Sequence, residues 1–271
     1  MKRIILNGGT GNQLFQIAEA LDIMRTGESV VIDDSIVSTQ WFQKYILKQR
    51  VVESCLNFFY IDSDIKITNS FFTLFYILLS KLLKRLTYNH LKLIADDRAC
   101  SGRYMLGYWQ NPELASLLSG VLTSARDNQN IKNSEILDLI ASAPSVAIHI
   151  RRGDYLLPEN SYFYECTEDY YLKAISLVGE GRFYIFSDDI PWSKSIGIFP
   201  EDSIFVDHNS GDNSHMDMIL MSKCEKLIIA NSTFSIWAAL LSNSKHVIAP
   251  KYYYKGIENS IVLPEWTLIE G

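Results

Sequence analysis

Ser145-Val146-Ala147-Ile148-His149-Ile150-Arg151-Arg152-Gly153-Asp154-Tyr155 is the stretch that decides how this chain is read. Val146, Ile148 and Ile150 alternate as in a strand, and the run stops at two adjacent arginines released by a glycine. In open parallel sheets, ligands collect at the carboxyl ends of the strands. Arg151 and Arg152 at such an end form a compact anion receptor, because guanidinium forks match phosphate oxygens. His149 points the same way as Arg151. The plain alternative is a surface arginine pair bridged to Asp154.

Outward from this stretch, strands and helices alternate. Toward the C-terminus, strands are expected at Phe183–Phe186, Lys226–Ala230 and His246–Ala249, with helices near Glu168–Val178, Met216–Ser222 and Phe234–Leu241. Toward the N-terminus, Ile4-Ile5-Leu6 and Ser29-Val30-Val31-Ile32 read as buried strands around a helix from Asn12 to about Gly27. Residues 35–100 read as mostly helical, and Asn111-Pro112-Glu113 is a helix start. The rhythm predicts an α/β protein of two halves, each with a mostly parallel sheet. The polar stretch Ser124–Asn130 is the candidate boundary, and the halves are set at residues 1–135 and 136–271.

Composition narrows the function. The 271 residues carry 25 Lys+Arg against 31 Asp+Glu, a formal charge of −6, which speaks against duplex nucleic acid as a partner. A phosphorylated small ligand needs only local arginines. Cys55, Cys100, Cys166 and Cys224 are widely spaced, which fits neither a zinc ribbon nor a secreted disulfide framework and points to the cytoplasm. The apolar run Phe71–Leu79 falls short of the ~20 residues that span a bilayer. Residues 71–92, with Lys81, Lys84 and Arg85, read as a packed helix. Peripheral contact with an anionic membrane, such as the inner membrane, is the alternative.

The remaining strand ends supply further candidates. Gly8-Gly9-Thr10-Gly11-Asn12-Gln13 comes after the first strand, where Gly9 and Gly11 would let backbone approach a ligand at a helix N-terminus. As a dinucleotide fingerprint it lacks its third glycine, since Leu14 stands there, although Asp33-Asp34 suits an NAD(P)-type oxidoreductase as runner-up. Asp188 and Asp189 come after Phe183–Phe186, and carboxylates there suit ribose hydroxyls or a guanine edge, or else cap the next turn. Asn231-Ser232-Thr233-Phe234-Ser235 opens the last helix as a diphosphate cradle or as plain capping. Together these edges describe a nucleotide site, in an enzyme or in a non-catalytic sugar-nucleotide-binding protein. Asp62-Ser63-Asp64 has metal-binding D-x-D spacing but reads as a surface turn, so no metal site is assigned.

These motifs resemble the α-1,2-fucosyltransferases of glycosyltransferase family 11. The resemblance rests on Gly8–Gln16, Gly107-Tyr108-Trp109-Gln110, His149–Tyr155, Asp217–Cys224 and Ile229–Trp237. The family more often has an apolar residue at Thr10 and a second Trp at Ile236, and neither change touches a charged role. The resemblance implies a GT-B fold of two Rossmann-like domains facing across a cleft, the first on the acceptor side and the second binding GDP-L-fucose. It implies inversion at the anomeric carbon, transfer to the 2-hydroxyl of a galactoside in surface-polysaccharide (O-antigen) synthesis, on a free or lipid-linked acceptor, and no metal or other cofactor. By the same carry-over Arg151 binds the β-phosphate, with Arg152 supporting it. His149 and Asp188 or Asp189 hold base or ribose, Ser232–Ser235 cradle phosphate, and Asn12 lies near the reaction centre. Asp154 and Glu159 are both candidates to take the acceptor's proton.

Overall fold

The computed structural model describes residues 1–86, 94–95, 104–124, 130–242 and 244–271. Cys100 and residues 87–92 of the expected 71–92 segment lie outside the described residues. The chain divides into two compact units, Met1–Arg126 and Asp127–Gly271. A cut between 135 and 136 would instead pass through the helix Ile131–Ser142, which Asn130 caps through Lys132 N–H.

The first unit holds strands β1 (Lys2–Ile5), β2 (Val30–Asp33), β3 (Phe59–Ile61), β4 (Lys66–Thr68), β5 (Ile94–Ala95), β6 (Tyr104–Met105) and β7 (Leu122–Ser124). Its helices are α1 (Thr10–Arg25), α2 (Phe71–Leu86) and α3 (Ala115–Ser119). Five strands form a parallel sheet in the order β4-β2-β1-β6-β5, and β3 pairs antiparallel with β7. Ile4 and Ile5 of β1 and all of β2 are buried, as expected for strands covered on both faces. Within the expected helical middle, β3 and β4 are strands. Three-residue strands carry too few alternations for a period to register. The helix start at Asn111 is there as a 3₁₀ turn, Pro112–Leu114, with the Asn111 side chain accepting from Glu113 N–H.

The second unit continues with α4 (Ile131–Ser142), β8 (Ser145–Ile150), α5 (Glu168–Val178), β9 (Arg182–Ser187), α6 (Ile190–Ser195), β10 (Ile204–Val206), α7 (His215–Lys223), β11 (Lys226–Ile228), α8 (Thr233–Leu241), β12 (His246–Pro250), β13 (Tyr252–Tyr254), β14 (Ile257–Glu258) and β15 (Thr267–Ile269). Six strands make a parallel sheet in the order β10-β9-β8-β11-β12-β15. Every residue of β8 is buried. α5 explains its own packing: Tyr170, Ala174 and Val178 recur every four residues and bury against the sheet with Ile148 and Ile228. Thr167 caps its N-terminus, where Glu168 and Asp169 complement the helix dipole.

Each sheet has one topological switch point. In the second unit the chain runs from β8 outward through β9 and β10, then returns to place β11 on the other side of β8. In the first, β1 is flanked by β2 on one side and β6 on the other. Ligands of such sheets bind outside the carboxyl ends at these points.

Asp33 is withdrawn from any ligand. It is fully buried and accepts from the Arg3 guanidinium, from Ser35 backbone N–H and hydroxyl, and from the Thr73 hydroxyl at 2.6 Å. Leu14, standing at the third-glycine position of the dinucleotide reading, is likewise buried in α1. The acid ties β2 to β1 and α2, which is why the oxidoreductase reading fails here. Asp33→Ala leaves Arg3 facing a buried void and should destabilise the first unit by about 3 kcal/mol or more in denaturant titration. A loss below about 0.5 kcal/mol, the usual effect of a surface change, would contradict this role.

Candidate nucleotide-sugar site

The switch point of the second unit collects Arg151, Arg152, Asp154, Asp188, Asp189, His149 and the Asn231–Ser235 segment. Asp188 is the hinge of the arrangement. One of its oxygens accepts from Arg152 backbone N–H at 2.9 Å and the other pairs with Arg151 at 2.9 Å. Arg151 also pairs with Asp154, three residues on in the 3₁₀ turn Gly153–Leu156. The ion pair of the surface-pair reading is therefore formed, with Asp188 added to it. Two acids orient the fork, while the Arg151 Nε–H stays buried with no partner. Gly153 is required by close approach, since a Cβ there would collide with the Asp188 carboxylate.

Arg152 lies flat over Trp192, its guanidinium carbon 3.7 Å from the ring centroid, flanked by Asp189 at 3.5 Å and Glu165 at 3.9 Å. Asp189 also caps α6 by accepting from Trp192 N–H at 3.1 Å. Arg152 is thus held as a strut. The cavity of about 360 Å³ beside it is walled by Glu165, Glu168 and Asp169, acids that repel a diphosphate.

His149, the last residue but one of β8, is a buried neutral imidazole. Burial, and after it the Arg151 charge, lowers its pKa from 6.5 to about 3, and its Nδ1 has no partner. Its ring lies 5.7 Å from that of Phe234, in the first turn of α8. No side chain caps that N-terminus. The Asn231 side chain is committed elsewhere, donating to the carbonyls of Tyr164 at 2.7 Å and Tyr253 at 2.8 Å. Ser235 donates to Ala230 and Ser232 carbonyls at 3.2 Å. These two residues shape the loop, which leaves Ser232, Thr233 and the backbone of the first turn as the candidate cradle. Tyr155 closes the group: its hydroxyl donates to Asn231 carbonyl at 3.0 Å, and its ring stacks on Phe163 at 4.0 Å and lies beneath Arg151. Glu159 is exposed on the turn Pro158–Asn160, and Asn160 donates to the Asp154 carbonyl at 2.8 Å.

Asn12, Gly9 and Gly11 belong to the first unit, at its own switch point. Gly9 is the N-cap residue of α1, and Gly11 lies buried in its first turn. Gln110 donates to Asn12 Oδ1 at 2.8 Å, and Gln16 donates to Gly107 carbonyl at 2.8 Å, so the Gly107–Gln110 motif seats against the glycine loop. Gly8 has φ +74°, and a Cβ there would come within 2.9 Å of Asn12 and Tyr108. Gln13 and Gln16, both fully buried, do not stand out in the sequence. Gln13 bridges Gly8 and Glu53 carbonyls and Cys55 N–H, and Gln16 takes Asn7 N–H. Their polarity on an otherwise apolar helix face was the available signal. Asp62 and Asp64 are exposed in a turn between β3 and β4. Among the described residues no three His, Cys, Asp or Glu side chains cluster as a metal site.

The Asp217 motif lies in α7 and its partners are structural. Asn209 donates to Asp217 at 2.9 Å and to Asn133 at 2.8 Å, tying α7 to α4. Burial pushes the Asp217 carboxyl from 3.8 up to about 7.

Two α/β units, each built on a parallel sheet with a topological switch point, are the elements of the GT-B fold. The α-1,6-fucosyltransferase NodZ, in crystals soaked with GDP-fucose, shares this fold with a TM-score of 0.52 at 16% identity, over 89% of this chain and 92% of NodZ. The chain belongs to glycosyl transferase family 11, whose model matches residues 4–270. It is 30% identical to an alpha-1,2-colitosyltransferase of Escherichia coli, over 98% of this chain and 97% of that protein. It is 28% identical to the Escherichia coli O-antigen biosynthesis glycosyltransferase WbnK, over 96% of this chain and 98% of WbnK.

The two shifted groups give opposite pH dependences. Folded His149 refuses a proton that the unfolded chain accepts below about 6.5, so its contribution weakens as pH falls from 6.5 toward 3. Folded Asp217 keeps a proton that the unfolded chain releases near 3.8, so its contribution is lost as pH rises through about 7. Asp217→Asn should therefore raise Tm relative to the parent chain above pH 7, and His149→Gln should flatten the loss below pH 6.5. Thermal unfolding profiles parallel to the parent at every pH would refute both assignments.

Proposed function

We propose that the second unit binds GDP-L-fucose and that the enzyme transfers fucose, with inversion, to the 2-hydroxyl of a galactoside during surface-polysaccharide synthesis, the first unit serving the acceptor side. The observation that carries this reading is the pair of unsatisfied buried groups at one strand end, His149 Nδ1 and Arg151 Nε, beside the uncapped N-terminus of α8. Native interiors leave few polar groups unpaired, and a diphosphate with its ribose would satisfy these. Arg151 and the α8 N–H groups would hold the diphosphate, and His149, being neutral, can hydrogen-bond ribose or base without adding charge.

In the transfer, the acceptor oxygen forms a bond to the anomeric carbon as the bond from that carbon to the β-phosphate oxygen breaks. Negative charge grows on GDP, where the oriented Arg151 fork and the helix N-terminus stabilise it. A cation fixed this way does the work that a divalent ion performs in D-x-D enzymes, so the reaction should proceed without added metal. The acceptor proton needs a carboxylate. Asp154 is committed to Arg151, and Glu159 is exposed on the adjoining turn, so Glu159 is assigned as the base. The colitosyltransferase relative favours a second donor, GDP-colitose, which lacks the 3-hydroxyl of fucose.

Arg151→Ala should lower transfer by about 10³-fold and abolish GDP binding in calorimetry, with an unchanged circular dichroism spectrum. Near-parental turnover would remove Arg151 from the site. Activity should persist in EDTA, and a strict Mn²⁺ requirement would reopen the Asp62–Asp64 reading. Glu159→Gln should lower kcat by about 10²-fold with GDP affinity intact, whereas Asp154→Asn should weaken GDP binding. The reverse pattern would exchange their roles. Parallel assays with GDP-fucose and GDP-colitose on galactosides, with product linkage by NMR, decide donor and regiochemistry.

A further inference from the structure

Over Phe71–Leu79, α2 buries one side and leaves the other bare. Leu74 and Ile77 pack with Ile5, Ile36 and Phe42, and Thr73 bonds Asp33. On the opposite side Phe71 and Phe72 are 73% and 71% exposed, Phe75 is 51% exposed, and Leu78 comes one turn on. Monomeric surfaces seldom expose so continuous an apolar stripe without a partner. Over Phe71–Leu79 the packed-helix expectation thus holds for one side of the helix and fails for the other.

The charge around this stripe selects its partner. From Ile65 to Ala95 the sequence carries five of the chain's 25 Lys+Arg (Lys66, Lys81, Lys84, Arg85 and Lys92) and none of its 31 Asp+Glu. A second stretch behaves alike. Ser35 to Val52 carries Lys44, Lys48 and Arg50 without an acid, and it exposes Trp41 and Tyr45. The two are joined structurally, because Phe42 of the second stretch sits in the same core cluster as Leu74 and Ile77. Next to them Lys66 and Ile67 are exposed on β4, the edge strand of the sheet. In a chain of net charge −6, the exposed Lys44, Lys48, Arg50 and Lys66, with Trp41, Tyr45 and the α2 aromatics, give this part of the first unit a basic and aromatic surface.

We propose that this face of the first unit docks on an anionic phospholipid surface, with the aromatic side chains entering the headgroup boundary and the cations meeting lipid phosphates. A second copy of the chain fits worse, because a twofold contact would set these lysine- and arginine-bearing stretches against themselves. The helix does not cross the bilayer. Its 16 residues span about 24 Å at 1.5 Å per residue, against about 30 Å of hydrocarbon. Among the described residues no helix is long and apolar enough to cross. The inference stands apart from the donor assignment, and a face so placed would bring the enzyme to lipid-linked acceptors.

The test is sedimentation of the full chain with sucrose-loaded vesicles. One set is phosphatidylcholine alone, and the other is phosphatidylcholine and phosphatidylglycerol in equal parts. The parent should bind the anionic vesicles and release at high salt. The triple variant Phe71→Ser, Phe72→Ser, Phe75→Ser should bind about tenfold more weakly, with GDP affinity unchanged. Lys44→Glu with Lys48→Glu, which touches no core residue, should weaken binding similarly. Trp41 emission should shift to the blue with anionic vesicles and not with phosphatidylcholine. Equal sedimentation of parent and variants, or none of the parent, overturns the proposal. So does self-association in light scattering that the triple variant abolishes without any vesicle binding. Unchanged GDP binding in these variants keeps failure of this inference separate from failure of the donor assignment.

Discussion

The carboxylate of Asp188 couples two strand ends. It accepts the backbone N–H that leaves β8 and pairs with the side chain of Arg151, while it rides on the loop that leaves β9. This fixes the direction of the Arg151 fork before any ligand arrives, and electrostatic stabilisation of a developing charge depends on that preorganisation. Gly153 is a consequence of it, since the carboxylate occupies the space a side chain would need. Asp154 completes the clamp from the other side, and Tyr155 supports it through Asn231.

The same logic explains why an acidic protein can hold an anion. Net charge is a weak guide at short range, where a pair of oriented N–H groups and one guanidinium outweigh distant carboxylates screened by water. The acids at the site are close, but they are spent on the arginines: Asp188 and Asp154 on Arg151, Asp189 and Glu165 on Arg152. The large acid-walled cavity is correspondingly the wrong place for a diphosphate.

Much of the fold and site was legible in the sequence, for physical reasons. β8, β9 and β12 are central strands with continuous apolar runs, the three residues of central β11 are continued by buried Ile229 and Ala230, and the loops leaving β8, β9 and β11 carry the candidate site residues. Edge strands such as β4, β10 and β15 span only three residues, too few to show a period. Arginine spacing marked the candidate receptor but not its partners: that Asp189 caps α6 and that Asn231 clamps two carbonyls depends on contacts across the sheet edge. Asp33 misled because an acid at a strand end looks alike whether it faces ribose or Arg3. The buried glutamines Gln13 and Gln16 went unread because their partners are backbone groups up to 91 residues away.

Both units offer an uncapped helix N-terminus at a switch point, α1 behind its glycine loop and α8 behind Asn231. The second carries Arg151 at the end of β8, beside that helix N-terminus, and the diphosphate assignment turns on it. A crystal structure of the full chain with GDP tests it most directly. The account predicts the β-phosphate oxygens within hydrogen-bond distance of Arg151 and of the first-turn N–H groups of α8. A diphosphate seated on the Gly8–Gly11 loop at the N-terminus of α1, with Arg151 still held only by Asp154 and Asp188, would contradict it.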